Sequence, residues 1–455
     1  MKKLKLIAIF GTIVLVMMML AGCPNDTAAK VSFNISDAVA LGASGGLSNS
    51  RSVGRDGDDA ADGSSLIKVM QDGSIKSAVS FEGSIKCANI QSLFKSPVSD
   101  DVYILYDGAS WASDRILDPL VCVHPNGSYT NLLTQATQFS DNDYLFTGDG
   151  LIDFDENGNT YILGFEGGHW ENYVYMYNPK TDKRTTLISS VGQHLSEDPS
   201  EHFDRIMHGK DGKYLYVGGL YTDTYNFFVR AIPIDNPTDY TQVGGDAHNF
   251  GWTYDIYNDC LIVSYDDRSA HQQGTYRISA DGKTEGEKID DDNYIKFIPT
   301  KYGVWAFSDY NDDNGQSRSV IKNIYTETDE VFINTASRNM SPYSVFTDKY
   351  YDVIGDYIYI IYSGYGELEE GKEGTESDMM SQLFRVNMKD KTCEDVLKNS
   401  DCTDHILIYS WSANENVLYY SGKYTGGDVN GKVDLKTLNH ERISSSQRLS
   451  CLAAM

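Results

Sequence analysis

The chain of 455 residues lacks the short motifs that commonly identify nucleotide-binding and redox proteins. It contains no C-x-x-C pair, so zinc ribbons and thioredoxin-like redox chemistry have no motif here. It also contains no Walker loop, no H-E-x-x-H and no G-x-G-x-x-G, which leaves a nucleotide site and a classical zinc protease unsupported. One G-x-S-x-G pattern occurs at residues 42–46, but its surroundings do not predict the strand-to-helix elbow that a serine nucleophile needs.

Positive charge is scarce as well. The chain has 38 Lys and Arg against 65 Asp and Glu, a formal net charge of -27. Such a surface repels nucleic acid and anionic lipid head groups, so we expect no nucleic-acid partner. The composition is otherwise globular, with 41% hydrophobic residues, and the length suits one large repeat domain or two to three ordinary domains.

A single long apolar run lies near the amino terminus. Residues 1–5 are basic, residues 6–20 are uncharged and apolar, and Leu20-Ala21-Gly22-Cys23 follows. These are the parts of a secretory signal, and the run is too short for a stable membrane span. The order Leu-Ala-Gly-Cys resembles the lipobox of bacterial lipoproteins. The resemblance implies that residues 1–22 are a signal peptide and that Cys23 carries acyl chains such as palmitate.

The same resemblance implies a place in the cell. We expect a protein of the bacterial cell envelope, lipid-anchored in the outer membrane or at the cell surface. Two or three acyl chains would hold it firmly, because each buried methylene contributes about 0.8 kcal/mol while one chain binds only marginally. The membrane would thus be one partner of the protein, bound through the lipid at Cys23. The alternative is a secreted protein with a chance cysteine at the cleavage site.

Six further cysteines remain, and they are Cys87, Cys122, Cys260, Cys393, Cys402 and Cys451. Their density is too low for a disulfide scaffold, although the compartment permits disulfides. Cys122 and Cys260 fall in strands of distant repeats and are expected as buried free thiols. One pairing left open joins Cys87 to Cys451. A competing local pairing joins Cys393 to Cys402.

Residues 23–65 are rich in Gly, Ser, Ala and Asp and hold one short apolar patch at residues 31–35. This composition buries too little apolar surface to fold alone. It predicts a lipidated flexible tether that holds the next domain on the order of 35 Å from the lipid. The structured domain is then expected to span residues 66–455.

From residue 90 onward the chain repeats. Short strands rich in Tyr, Val and Ile follow tight turns that carry Gly, Asn and Asp, and these strands begin about 40 to 60 residues apart. They are residues 102–106, 161–165, 214–218, 261–265, 304–308, 357–361 and 417–421. Four short antiparallel strands per unit at this spacing are typical of an all-β fold, the β-propeller.

Residues 154–161 and 210–217 resemble the repeat cores of the YVTN and NHL classes of bacterial propellers, a likeness that supports the fold and not a function. The units counted are residues 90–133, 145–189, 203–244, 250–290, 294–334, 349–397 and 403–446. Residues 66–70, 75–79 and 448–452 are left over and could form a hybrid unit from both termini, which would close the ring. Seven blades are favoured, and eight with a hybrid terminal blade are the alternative.

In a propeller, the loops between second and third strands and those between blades emerge on one face, here called the loop face. The opposite face, with the tight turns, is the turn face. The predicted loop face carries aromatic rings beside carboxylates, which suits a protein or glycan partner. The candidate binding residues are Trp111, Asp114, His169, Trp170, Tyr221, Asp266, Asp267 and His271. A solvated polar loop explains any one of them equally well, but two of five tryptophans fall in corresponding loops.

No cofactor is expected from the motifs, and calcium is the one cation left open. Asp309, Asn311 and Asp313 place three oxygen ligands at alternate positions of a predicted loop, against which a solvated polar loop is the simpler interpretation. Residues 153–158 fit the opening of a calcium loop, but Gly164 replaces the bidentate Glu at its twelfth position, so a β-turn is predicted there.

These observations favour a membrane-anchored extracytoplasmic propeller lipoprotein that binds a protein or glycan partner through its loop face. Two alternatives stay open. One is a propeller enzyme resembling lactonases or lyases, with a divalent cation, and the other is an envelope assembly scaffold. No catalytic residue is identified, and an enzyme is the less favoured class.

Overall fold

The computed structural model describes residues 30–44, 65–82, 90–106, 120–132, 152–166, 171–188, 201–221, 224, 226–247, 251–267, 272–294, 296–311, 317–326, 330–333, 339–341, 351–365, 379–398, 406–424, 427–443 and 449–455. Within these ranges the regular structure is almost entirely β, with one 3₁₀ turn at Lys210–Gly212. None of the described residues forms a helix long and apolar enough to cross a membrane.

Eight antiparallel sheets of four or five strands, together with one two-stranded sheet, form the regular structure of the described residues. The first five strands in chain order are β1 (Lys30–Phe33), β2 (Ala40–Ser44), β3 (Ser65–Val69), β4 (Ile75–Ser77) and β5 (Val79–Glu82). Blade 1 contains β6 (Ile90–Lys95), β7 (Val102–Tyr106), β8 (Leu120–Val123) and β9 (Tyr129–Asn131). Blade 2 contains β10 (Ile152–Phe154), β11 (Thr160–Glu166), β12 (Glu171–Asn178) and β13 (Lys183–Ile188).

The next three blades repeat the same antiparallel order. Blade 3 contains β14 (Glu201–His208), β15 (Tyr214–Tyr221), β16 (Phe227–Pro233) and β17 (Thr241–Ala247). Blade 4 contains β18 (Gly251–Asp255), β19 (Cys260–Asp267), β20 (Gln272–Ser279) and β21 (Glu287–Asp290). Blade 5 contains β22 (Phe297–Thr300), β23 (Gly303–Asn311), β24 (Ser317–Asn323) and β25 (Glu330–Ile333).

Blade 6 has five strands, because two short strands at its start both pair with the same long strand. It contains β26 (Asn339–Ser341), β27 (Tyr351–Ile354), β28 (Tyr357–Tyr365), β29 (Met379–Asn387) and β30 (Cys393–Asp395). Blade 7 contains β31 (Leu407–Ala413), β32 (Val417–Tyr424), β33 (Gly427–Asp434) and β34 (His440–Arg442). The last strand is β35 (Leu449–Ala454).

Blade 8 is a hybrid of the two ends of the chain. Its strand order is β35-β2-β3-β4, so the carboxy-terminal strand is placed first and amino-terminal segments supply the other three. The all-β propeller is therefore confirmed, and so is the alternative of eight blades with a hybrid terminal blade. The favoured count of seven is wrong, because the two ends complete a full four-stranded sheet.

The second strand of blade 8 lies in the segment predicted as a tether. Residues 40–44 pair with β3 on one side and β35 on the other. A Cβ added at Gly42 would lie 3.1 Å from Leu452 Cδ2, so a small residue suits the contact with the last strand. The composition predicted a linker here, because the strands that pair with residues 40–44 are distant in the sequence.

The segment before it also belongs to the folded part. β1 pairs with β5, and the Phe33 ring packs edge-on against Tyr129 of blade 1 with centroids 5.4 Å apart. The expectation of a tether over residues 23–65 is thus wrong for residues 30–44. From Cys23 to Lys30 the chain advances seven residues, which span at most about 25 Å when extended.

Apolar clusters fill the seams between neighbouring blades. Buried hydroxyls join the blades further: Ser264 Oγ of blade 4 accepts the backbone N–H of Tyr294 at 2.8 Å, just before blade 5. Cys122 and Cys260 lie buried as free thiols in blades 1 and 4, as expected. The result is a closed ring whose strand ends are fixed on both faces.

Candidate functional site at the loop face

The second strands of the blades all run toward the loop face, and their last residues lie there. In blades 1 to 7 these residues are Tyr106, Glu166, Tyr221, Asp267, Asn311, Tyr365 and Tyr424. Of the eight candidate binding residues, the described part of the chain includes three: Tyr221, Asp266 and Asp267. The candidates outside the described residues are Trp111, Asp114, His169, Trp170 and His271, together with Cys23 and Asp313.

Asp266 and Asp267 close the second strand of blade 4. Their backbones pair with Gln273 and Gln272 of β20. Both acids therefore lie within the strand at its loop-face end, and not in the loop where the sequence placed them.

Asp309 and Asn311 lie in β23, not in a loop. They pair with Ser319 and Ser317 of β24, so the strand continues through both residues. The expectation of a loop is wrong at these two positions, because the hairpin of β23 and β24 continues through them. A calcium ion at Asp309, Asn311 and Asp313 stays a prediction.

Tyr221 takes part in packing as well as facing the loop face. Its ring centroid lies 5.0 Å from that of Phe228, and its hydroxyl accepts a hydrogen bond of 3.0 Å from Gln242 Nε2. The carbonyl oxygen of the same amide accepts from Arg230 Nε at 3.0 Å. This chain of bonds joins β15, β16 and β17, and it fixes the Tyr221 ring at the end of blade 3.

Arg230 is the residue of this site that sequence reasoning missed. Its side chain is buried, and its guanidinium carbon lies 5.3 Å, 5.0 Å and 4.6 Å from the ring centroids of Phe203, Phe228 and Tyr240. Such contacts between a cation and aromatic faces are favourable when the cation is removed from water. A charged residue in the middle of an apolar strand, residues 227–233, was the available signal.

An ion pair lies in the seam between blades 4 and 5, where the connection between the two blades begins. Lys322 Nζ lies 2.9 Å from Asp290 Oδ2 and 3.9 Å from Asp292 Oδ2. Burial lowers the pKa of Lys322, but the hydrogen bond and charge of Asp290 outweigh burial and raise it above its ordinary value. Lys322 therefore keeps its charge, and its contacts with Asp290 and Asp292 hold the loop that precedes blade 5.

The calcium-like segment at residues 153–158 forms the predicted β-turn on the turn face. Asp155 Oδ1 accepts the backbone N–H groups of Asn157 and Asn159, each at 2.9 Å. Asp153 Oδ2 instead accepts from the backbone and the imidazole of His208, both at 2.6 Å. The two carboxylates therefore serve separate structural contacts.

Comparisons with known proteins extend no further than the fold. No family model and no curated protein matches the chain. A puromycin hydrolase is 10% identical with a TM-score of 0.43, over 80% of this chain and 57% of that one. A puromycin-hydrolyzing peptidase of Mycobacterium tuberculosis is 12% identical with a TM-score of 0.47, over 80% of this chain and 55% of that one. The chain thus spans little more than half the length of these two structures.

A third similar structure is the β-propeller domain of the Trilobed protease from Pyrococcus furiosus. It is 10% identical with a TM-score of 0.39, over 65% of this chain and 83% of that domain. At such identities the similarity concerns the fold alone, and the eight-bladed ring rests on the sheets described above.

Proposed function

We propose that this chain is a lipid-anchored, extracytoplasmic β-propeller of the bacterial cell envelope, with YVTN/NHL-like repeats, that binds a protein or glycan partner through its loop face. The observation that carries the proposal is the alignment of strand ends in three successive blades. Tyr221, Asp266, Asp267, Asp309 and Asn311 all lie at the loop-face ends of second strands. Aromatic rings stack on sugars or anchor side chains, while acids and amides bind hydroxyl or cationic groups.

Rigidity of this surface supports binding. The Tyr221 ring is fixed by Gln242 and Phe228, and Lys322 fixes the connection beside blade 4 through Asp290. Groups that are ordered before a partner arrives lose less conformational entropy on binding. A ring of strand ends with such supports is therefore better suited to recognition than a set of free loops.

The proposed anchor places this surface close to the membrane. With Cys23 lipidated and β1 beginning at Lys30, at most about 25 Å of chain separates the lipid from the propeller. The acidic surface repels anionic lipid head groups, so the acyl chains supply the attachment. A partner would then be an envelope protein or a glycan within this distance of the bilayer.

Crosslinking in intact cells tests the proposed binding face. The double variant Asp266→Asn, Asp267→Asn removes two charges from the loop face with little change in volume. Its matched control, Glu285→Gln with Glu415→Gln, removes two charges from exposed turn-face residues. We expect the loop-face variant to lose crosslinked partners that the native protein and the control retain. Partners kept by the loop-face variant and lost by the control would contradict the proposal.

A further inference from the structure

Three side chains that can bind metals lie together on the turn face of blade 1. Asp101 precedes β7, Cys122 lies within β8, and His124 follows β8. A carboxylate oxygen, the sulfur and an imidazole nitrogen of the three lie within 4.8 Å of one another. Across the described ranges, no other group of three His, Cys, Asp or Glu side chains has this spacing. The cluster is at the opposite face from the proposed partner site.

Hydrogen bonds orient the cluster. His124 Nδ1 lies 2.9 Å from Asp101 Oδ1, and Ser99 Oγ donates to Asp101 Oδ2 at 2.7 Å. Cys122 is buried beside them. Hydrogen bonds to metal ligands hold them in place, and losing such a contact typically weakens metal affinity by roughly 10–100-fold.

Blade 2 covers the other side of the cluster. The Tyr177 hydroxyl lies 3.4 Å from His124 Nε2 and donates to Asp182 Oδ1 at 3.0 Å. The side chains of His124 and Asp101 are 17% and 10% exposed, which leaves a route to them from the turn face. An ion could therefore enter the seam between blades 1 and 2 from solvent.

We propose that Asp101, Cys122 and His124 form a zinc site at this seam. Sulfur, imidazole nitrogen and carboxylate oxygen are the ligands that Zn²⁺ takes in proteins, whereas Ca²⁺ and Mg²⁺ prefer oxygen alone. Three protein ligands leave a fourth position for water. On binding, the Cys122 thiol loses its proton to solvent, and one thiolate and one carboxylate balance the two charges of the ion.

A thiol that coordinates zinc is deprotonated outright. Zinc binding should therefore release a proton and weaken as the pH falls.

Metal titration of the full-length protein, solubilised in detergent, free of any affinity tag and stripped with a chelator, tests the site. We expect one Zn²⁺ per chain in competition with a chromophoric chelator, and a thiolate-to-cobalt absorption band when Co²⁺ replaces Zn²⁺. Cys122→Ser and His124→Gln should each weaken zinc binding by more than about 100-fold, because even outer-shell partners are worth 10–100-fold.

The matched control is Cys260→Ser. It removes a second buried thiol, which lies in β19 of blade 4 and is not part of the cluster. It should bind zinc like the native protein. Circular dichroism in metal-free buffer separates the loss of a ligand from misfolding. If Cys122→Ser fails to fold, the zinc affinity of His124→Gln tests the site. Absence of stoichiometric zinc binding, absence of the cobalt band, or native affinity in His124→Gln would each overturn the site.

Discussion

The backbone N–H of Leu452 donates a hydrogen bond of 2.7 Å to the Oγ of Ser410. Leu452 lies in the last strand of the chain and Ser410 in the first strand of blade 7, so the bond crosses the seam where the ring closes. Two further bonds of the same kind flank it, from Leu449 to Ser421 Oγ at 3.0 Å and from Ala454 to Ser412 Oγ at 2.9 Å. Side-chain hydroxyls of blade 7 thus hold the strand that completes blade 8.

Ser410→Ala tests the contribution of this bond. The variant leaves the buried N–H of Leu452 without its acceptor, which should lower the free energy of unfolding by about 1–3 kcal/mol. Urea unfolding measures the change. Ser128→Ala, which removes an exposed hydroxyl bonded to Asn126, is the control and should stay within about 0.5 kcal/mol of the native protein. Equal stability of the two variants would show that the Ser410 bond does not secure the closure.

Cys451 carries no disulfide in the structure, so oxidation of the protein tests the pairing with Cys87 that the sequence leaves open. Cys451 Sγ lies 3.8 Å from the carbonyl oxygen of Ile90, and Cys87 precedes Ile90 by three residues in the sequence but lies outside the described residues. The bridge would close a very long loop, for which chain entropy gives on the order of 5 kcal/mol.

Peptide mapping under non-reducing conditions measures that pairing, with the buried Cys260 as an internal control that should remain a free thiol. Reduction should lower the melting temperature. Free thiols at both Cys87 and Cys451 would mean that hydrogen bonds alone hold the termini. The competing pair of Cys393, which lies in β30, with Cys402 outside the described residues would form independently.

Cys23→Ser should release the protein from the membrane. The serine has no thiol for the lipid, and the acidic surface offers no substitute attachment. Fractionation of cells followed by immunoblotting measures the shift from the membrane to the soluble fraction. Variant protein that stays in the membrane after a wash without detergent would argue against a lipoprotein.

His208 should make stability depend on pH. Burial lowers its pKa, but the hydrogen bond and charge of Asp153, with the charges of Asp155 and Glu156, outweigh burial and raise it. Because the folded state binds this proton more tightly than the unfolded state, the stabilisation is complete below about pH 6.5. It is lost as the pH rises through the raised value.

Chemical denaturation at about pH 5 and about pH 9 measures this effect. The native protein should exceed Asp153→Asn in stability by more at the lower pH than at the higher. Asp211→Asn is a suitable control, since this exposed turn-face position has a φ of 59°, which Asn tolerates. A difference between native protein and Asp153→Asn that does not change with pH would show that His208 does not titrate as stated.

The ring could be predicted because each blade carries a local signal. Residues 102–106 show it: five consecutive residues rich in Val, Tyr, Ile and Leu, all buried between layers of the core. Such a run predicts a buried strand from its own sequence. Blade 8 had no such signal in β2, where Gly42 leaves room for Leu449 and Leu452 to pack over it.

The sequence predicts which residues lie at the strand ends of the candidate site, but not the contacts between strands that fix them. Asp266 and Asp267 follow directly from a strong strand pattern, so their place on the loop face could be read from the sequence. The bonds that fix Tyr221 could not, because Arg230 and Gln242 come from two other strands and meet it only through sheet register. Asp101, Cys122 and His124 likewise come together only through the pairing of β7 with β8.

Closure by β35 has a consequence for biosynthesis. The strand that starts blade 8 is made last, while its partner β2 is among the first segments to leave the ribosome. Pairing across more than 400 residues raises the contact order, which slows folding and leaves a β edge unpaired until the chain is complete. If the chain is exported as proposed, that edge needs protection during translocation. Removing the last seven residues of the chain would leave every copy with an open sheet prone to edge-to-edge association.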